Sequence, residues 1–144
     1  RELAAGIVSP WADPSRLKLV DSQPKAAIGK LLANLALAIS AEGMKEALLF
    51  GDATGLTAAE TLDLLDSTGL SFMANLKRDF VLGDRSTDPG DFTVEALCKD
   101  SKLMLDTAGQ VLPGIQAVVE SFTIQQDHGR GDHDFSAILV HRSE

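Results

Sequence analysis

The longest apolar stretch of the chain covers residues 26–51 and predicts a long helix. Apolar residues recur there on several rows of the helical wheel, and the first half leaves few positions polar. Such a helix is expected at the centre of a domain, with neighbours packed on several sides. At 1.5 Å per residue it would extend about 35–40 Å. The remaining elements are expected to assemble around it.

Shorter helical patterns follow the long one. Thr57 and Glu60 have the spacing of a capping box, and they predict the start of a helix that stops near Ser67. Further helices are predicted over residues 70–82, 92–112 and 115–124, with a last helical segment over residues 135–140. Polar loops rich in Gly, Pro and Asp separate them. The pattern predicts an all-α fold of about six helices around a long central helix.

The first 24 residues have a different pattern from the rest. Residues 2–8 predict a short helix, and residues 16–20 alternate polar and apolar side chains, as a half-buried strand does. A single strand has no partner with which to form a sheet. Residues 1–24 are therefore expected to be a linker or the remnant of another domain, and residues 25–144 to form a helical domain.

Composition limits the classes of partner. The 144 residues are 44% hydrophobic and 24% charged, which is typical of one globular domain. The net charge of −8 argues against nucleic acid or an anionic membrane as partner. Lys30, Asn34, Ser40 and Glu42 interrupt the best candidate for a membrane span, and the amino terminus does not resemble a signal peptide. One cysteine, Cys98, cannot form an internal disulfide, so the chain is expected to be cytoplasmic.

Lys30 and Asn34 are the two polar residues in the first half of the long helix that need an explanation. They are one turn apart, so both side chains leave the same face. One interpretation is a partly exposed stripe, in which the lysine extends to water and the amide caps a neighbour. The other is a catalytic site, in which a lysine in an apolar setting acts as a general acid and the amide orients a substrate.

Two further clusters contain residue types that can form ion pairs or bind metals. Lys99 and Asp100 are adjacent in a predicted helix and, taken alone, are typical of a surface ion pair of little energetic value. The loop over residues 127–134 contains two His and three Asp, residue types that bind divalent metals. No helical pair frames these ligands and the glycines make the loop mobile, so no metal site is assigned. Cys98 falls on the apolar face of its helix and is expected in the core.

Four stretches, in this order, resemble the C-terminal helical domain of the β-hydroxyacid dehydrogenase family, which includes 3-hydroxyisobutyrate dehydrogenase and is related to 6-phosphogluconate dehydrogenase. They are KLLAN at residues 30–34, KEALLFGDATGL at 45–56, FTVEALCKDSKLML at 92–105 and GRGDHDFSAILV at 129–140. Ala33 stands where the family has asparagine, and Ser101 stands where leucine is usual. These departures leave the exact substrate open.

The resemblance implies roles for three residues. Lys30 would be the catalytic acid and base, Asn34 would position the substrate, and Lys99 would lie at the cofactor. In the family, NAD or NADP is bound mainly by an N-terminal Rossmann domain, whose glycine-rich fingerprint this sequence does not contain. The chain is therefore expected to dimerise through its long helices but not to catalyse by itself. The substrate implied is a small hydroxyacid or semialdehyde.

Two other functions remain open at this level. The chain could be a non-catalytic helical dimerisation domain or scaffold that has lost its cofactor domain, which would tolerate loss of Lys30. It could also be a metal-binding helical module that uses the loop over residues 127–134. The sequence does not distinguish NAD from NADP, since the residue that contacts the ribose would belong to the other domain.

Overall fold

The structure is a computed structural model that describes residues 6, 13, 18 and 20–144. The chain divides into two compact units, Arg1–Leu32 and Ala33–Glu144, which are described separately. Residues 20–144 contain six helices and no strand, so the predicted all-α fold is confirmed. The helices are α1 (Gln23–Thr54), α2 (Ala58–Leu65), α3 (Ser71–Leu82), α4 (Val94–Ala108), α5 (Pro113–Asp127) and α6 (Ala137–Val140).

The predictions for the amino-terminal segment fall mostly outside the described residues. This is true of the helix predicted over residues 2–8 and of the strand predicted over residues 16–20. Lys18 and Val20 are described, and neither has regular secondary structure. In the same unit, α1 begins directly after Ser22, whose carbonyl oxygen accepts a hydrogen bond from the amide of Ala26 at 3.1 Å.

The long helix α1 is confirmed, but its burial differs from the prediction. Its buried residues begin only at Ala38, in the middle of the helix: Ala38, Ala41, Glu42, Met44, Leu48 and Gly51. In the first half, Ile28 is 44% exposed and Leu32 is 59% exposed. The expectation of neighbours on several sides is therefore wrong for that half. Apolar periodicity shows which side chains avoid water in general, but it does not show that another element of the same chain covers them.

The helix α1 also meets a simple test for a membrane span. It contains an 18-residue window that is long and apolar enough to cross a bilayer, and 22% of that window is buried inside the structure. It is the single helix of this kind among the described residues. The core helix of a soluble protein passes the same test, so length and composition carry little weight here.

The starts and ends of the shorter helices follow local side-chain chemistry. The capping box predicted for α2 is present: the Thr57 hydroxyl accepts from the Glu60 amide at 3.2 Å, and the Glu60 carboxylate accepts from the Thr57 amide at 2.8 Å. The helix predicted over residues 92–112 is shorter, because Thr93 caps its start and Gly109, at φ 61°, ends it. Pro113 begins α5, where its missing N–H costs nothing.

The carboxyl-terminal segment lies at the centre of the core. Residues Asp134 to Leu139 are each at most 2% exposed, although the sequence predicted only a short terminal helix there. Its backbone is bonded to the loop before α4: the Asp134 amide donates to the Thr87 carbonyl at 2.7 Å, and the Phe135 amide donates to the Phe92 carbonyl at 2.9 Å. Gly90 permits this approach, since a Cβ there would lie 2.5 Å from the Asp134 nitrogen.

An ion pair is buried beneath this segment. The Lys77 ammonium of α3 lies 2.7 Å from Asp134 Oδ1, and their side chains are 6% and 0% exposed. The same ammonium lies 4.0 Å from the centre of the Phe135 ring. Burial by itself raises the pKa of Asp134, but the hydrogen bonds from Lys77 and Ser136 outweigh it and hold that pKa below its usual value. The buried ion pair thereby joins α3 to the segment that anchors the start of α4.

Candidate functional site

Asn34 and Asp100 form the first polar contact of the candidate site. The Asn34 amide nitrogen on α1 donates to Asp100 Oδ2 on α4 at 2.7 Å. Asp100 is 5% exposed, and Asn34 is half-buried. Because a buried carboxylate holds one N–H of the amide, the amide plane is oriented, and its second N–H and its carbonyl oxygen remain for a ligand. The pair therefore presents a positioned amide at the surface of α1.

Lys30 precedes Asn34 by four residues in α1 and belongs to the unit Arg1–Leu32. Its side chain is exposed. Of the two interpretations of the sequence, one expected a partly exposed lysine and the other a lysine in an apolar setting, and the exposure agrees with the first.

Lys99 and Asp100 do not form the surface ion pair that one interpretation of the sequence expected. Consecutive residues of a helix point about 100° apart, and here Asp100 is buried while Lys99 is exposed. Lys99 borders an open groove of about 490 Å³ that is lined by residues of α4 and by Gln126 of α5. The structure thus brings Asn34 to Asp100, and it places Lys99 on another side of α4.

The histidine- and aspartate-rich loop does not gather metal ligands. Asp134 is held in the buried ion pair, the His133 ring nitrogen Nδ1 lies 2.9 Å from the Thr87 hydroxyl, and the His128 Nδ1 lies 2.8 Å from the Ile124 carbonyl oxygen. Within the part of the chain that the structure describes, no group of three His, Cys, Asp or Glu is placed to hold a metal ion. The metal-binding alternative therefore has no support from the geometry.

The sequence analysis did not predict that Asp100 and Lys77 are buried, although a signal for both was present. Asp100 follows Leu97 by three residues and precedes Met104 by four, and both neighbours are buried. Lys77 lies on the same helical row as Met73 and Phe80, which are also buried. A charged residue on an apolar helical row is expected to have a buried partner, because an unpaired buried charge is costly. The position of a charged residue among buried apolar neighbours therefore shows that it is buried, but it does not show which residue is its partner.

Comparison with known proteins decides the family. The family model described as NAD-binding of NADP-dependent 3-hydroxyisobutyrate dehydrogenase matches residues 25–141. The chain belongs to this family. All four sequence stretches that carried the resemblance lie inside the matched range, so the family prediction is confirmed.

The fold has a counterpart among solved structures. The chain is similar to 3-hydroxyisobutyrate dehydrogenase from Mycobacterium tuberculosis, solved with L-serine, at a TM-score of 0.61 and 19% identity. The match covers 81% of this chain and 43% of that one, so this chain spans less than half of that dehydrogenase. At this identity the likeness shows the fold. No curated protein matches the sequence.

Two lysines of this chain have the chemistry to contact the phosphates of a dinucleotide. Lys99 and Lys102 border the α4 groove, and ammonium groups suit phosphate oxygens. The sequence contains no glycine-rich fingerprint of the kind that cradles a pyrophosphate at a helix start. The residues that the structure describes therefore match a dinucleotide only in part.

Replacing Asp100 with alanine should lower the free energy of unfolding by about 1–3 kcal/mol, because the Asn34 amide would lose a partner in a largely buried place. Urea unfolding measures the change. Asp100→Asn, whose side-chain oxygen can still accept the hydrogen bond, should lose less. Asp106→Ala changes an exposed aspartate of the same helix and is the matched control. Equal effects for Asp100→Ala and Asp106→Ala would show that the bond to Asn34 contributes nothing.

Proposed function

We propose that the chain is the substrate-side, dimer-forming part of an NAD(P)-dependent dehydrogenase that acts on small 3-hydroxy acids or the matching semialdehydes. The observation that carries the proposal is the hydrogen bond from Asn34 to the buried Asp100, since it orients the amide of a residue that follows Lys30 by four positions in the sequence. Family membership over residues 25–141 supports the reaction class. A residue set made only for helix packing would not need an oriented amide with free hydrogen-bonding capacity.

Each residue then has one task. Lys30 accepts the proton of the substrate hydroxyl as a neutral amine during oxidation, and as an ammonium it returns that proton during reduction. The second N–H of Asn34 donates to the substrate carboxylate, while Asp100 keeps the amide in place. Lys99 contacts the cofactor. A nicotinamide, when bound, supplies the site that accepts or donates the hydride.

Exposed apolar side chains along α1 support a homodimer. Ile28, Leu32, Ile39 and Phe50 are between 38% and 72% exposed, and solvent-facing side chains of this size often mark an interface. The same observation favours the second candidate, a non-catalytic dimerisation domain or scaffold. In either case we place the protein in the cytoplasm, in keeping with its single buried cysteine.

The two candidate functions predict different intact masses and different activities for the protein purified from its own cell. An enzyme should oxidise NADH or NADPH when a small semialdehyde is added, and its intact mass should be near twice the 15.3 kDa of the residues given. A scaffold should have a mass near 15.3 kDa and no such activity. Mass spectrometry and a nicotinamide absorbance assay measure both quantities. A protein of the larger mass that turned over no 3-hydroxy acid or semialdehyde with either dinucleotide would contradict the proposal.

A further inference from the structure

The chain contains three histidines, and all three lie in one cluster with Arg130 and Glu144. Nδ1 of His141 lies 3.6 Å from Glu144 Oε1, and Nδ1 of His128 lies 3.9 Å from Glu144 Oε2. The Arg130 guanidinium forms an ion pair with the same carboxylate. We call His128, Arg130, His133, His141 and Glu144 the histidine cluster. It joins the loop after α5 to the residues that follow α6.

The net charge of the histidine cluster depends on pH. When the imidazoles are neutral, the positive charge of Arg130 and the negative charge of Glu144 balance. Histidine is the side chain whose ordinary pKa lies closest to neutrality, so acidification protonates the imidazoles first. Each protonated histidine then adds a positive charge that has no further carboxylate in the cluster to balance it. The cluster therefore becomes cationic in mild acid.

The charged groups of the neighbouring elements do not balance this charge. Arg142 forms its ion pair with Asp52 of α1 at 2.8 Å, and Lys77 of α3 forms its own with Asp134. Both pairs are neutral as a whole. The other carboxylates of α3, of α5 and of the following loop are exposed, where water and salt screen them: Asp79, Glu120, Asp127 and Asp132.

The loop that carries most of the cluster is bonded to the start of α4. The Val94 amide donates to the His133 carbonyl at 2.9 Å, and the Glu95 amide donates to the Gly131 carbonyl at 3.0 Å. The first N–H groups of a helix have no partner within the helix, so the loop supplies it here. A displacement of the loop would leave these two amides to solvent.

We propose that the histidine cluster is a pH-sensitive switch, which holds residues 128–133 against the first turn of α4 when its imidazoles are neutral and releases them when the imidazoles are protonated. Repulsion then acts between the loop, which carries Arg130, and His141 beyond α6. The core segment 134–139 keeps its place, because the carboxylate of Asp134 remains ionised in mild acid. The switch does not depend on the proposed function.

The environment of His141 supports the direction of the switch. Burial lowers the pKa of His141 below its usual value of 6.5, and the charges of Arg130, His133 and His128 lower it further. The unfolded chain therefore takes up this proton at a higher pH than the folded chain does. The stability that the neutral imidazole contributes is complete above pH 6.5 and decreases as the pH falls below that value.

The test is amide hydrogen exchange of the full-length protein, followed by NMR at about pH 7 and about pH 5, the range in which histidine titrates. The exchange rates are corrected for the pH dependence of an unprotected amide. The amides of Val94 and Glu95 should lose protection at the lower pH. The amides of α2 should keep theirs, because Glu60 in its capping box has a pKa below 4.5 and stays ionised.

Three variants separate the switch from a general effect of acid. His141→Gln is neutral at both pH values and should keep most of the protection of Val94 and Glu95 in acid. Glu144→Gln leaves Arg130 without its carboxylate and should lose protection already near neutral pH. Glu120→Gln removes an exposed carboxylate of α5 and should change nothing.

Three outcomes would overturn the proposal. One is equal protection of Val94 and Glu95 at both pH values, and another is an acid-induced loss of the same size in His141→Gln and in the unmodified protein. The third is a pKa of His141 at or above 6.5 when its imidazole shifts are titrated by NMR. Should His141→Gln not fold, His128→Gln changes a side chain that is 51% exposed, and it should reduce the acid-induced loss in the same direction.

Discussion

Replacing Lys30 with alanine should lower the kcat of the proposed dehydrogenase, purified from its own cell, by about 10²- to 10⁴-fold, the contribution typical of a general acid or base. The proton of the substrate hydroxyl would have no acceptor in the site. Dinucleotide affinity should be unchanged, because the proposal gives this lysine no contact with the cofactor. Steady-state kinetics and a separate dinucleotide titration measure the two quantities.

The control for this variant is Lys25→Ala, which removes another exposed lysine from the same helix. It should leave kcat within about twofold of the unmodified protein, as surface substitutions away from a site have small effects. Added methylamine should restore part of the activity of Lys30→Ala, because a free amine can carry the missing proton. Near-normal turnover by Lys30→Ala would remove the lysine from the mechanism and favour the scaffold.

Replacing Asp134 with alanine should lower the free energy of unfolding by about 3–5 kcal/mol, the usual result of leaving one charge of a buried ion pair without its partner. The Lys77 ammonium would remain 6% exposed beside the Phe135 ring. Urea unfolding measures the loss, and Asp132→Ala, an exposed neighbour in the same loop, is the control. In Lys77→Met/Asp134→Ala no charge is left unpaired, so this double variant should recover part of the stability.

The pH dependence of unfolding checks the same pair independently. The folded state holds the pKa of Asp134 below its unfolded value of 3.8, so the carboxylate stabilises the fold above that value. This contribution should disappear as the pH falls from 3.8 through the lower folded value. The loss of stability over this acid range should be shallower in Asp134→Asn, which has no carboxylate to protonate. If the free energy of unfolding had the same pH dependence in Asp134→Asn and in the unmodified protein, the ion pair would not contribute to stability.

Local sequence signals predicted the elements well, because helix boundaries depend on a few neighbouring residues. The capping box of Thr57 and Glu60 and the positions of α1 and α3 followed from spacing alone. The predicted start of α4, at residue 92, lies two residues before the observed start at Val94, because Thr93 is the N-cap of the helix. A capping threonine and a first-turn threonine look alike in a sequence, and backbone geometry separates them.

The candidate site was predicted only in part. The motif around Lys30 and Asn34 identified the amide, and the family match places both residues inside the matched range. The partner of that amide, Asp100, lies 66 residues away along the chain. A hydrogen bond over such a separation exists only after α1 and α4 have packed, so spacing within either helix could not reveal it.

The sequence by itself determined the helical class, the positions of the helices to within four residues and the family, because these depend on periodicity, caps and short motifs. The tertiary structure decided that residues 134–139 fill the core, that Lys77 pairs with Asp134, and that Asp100 holds Asn34. It also decided that the first half of α1 exposes apolar side chains. These features join residues from distant elements, and the free energy that selects them comes from packing and desolvation rather than from local preference.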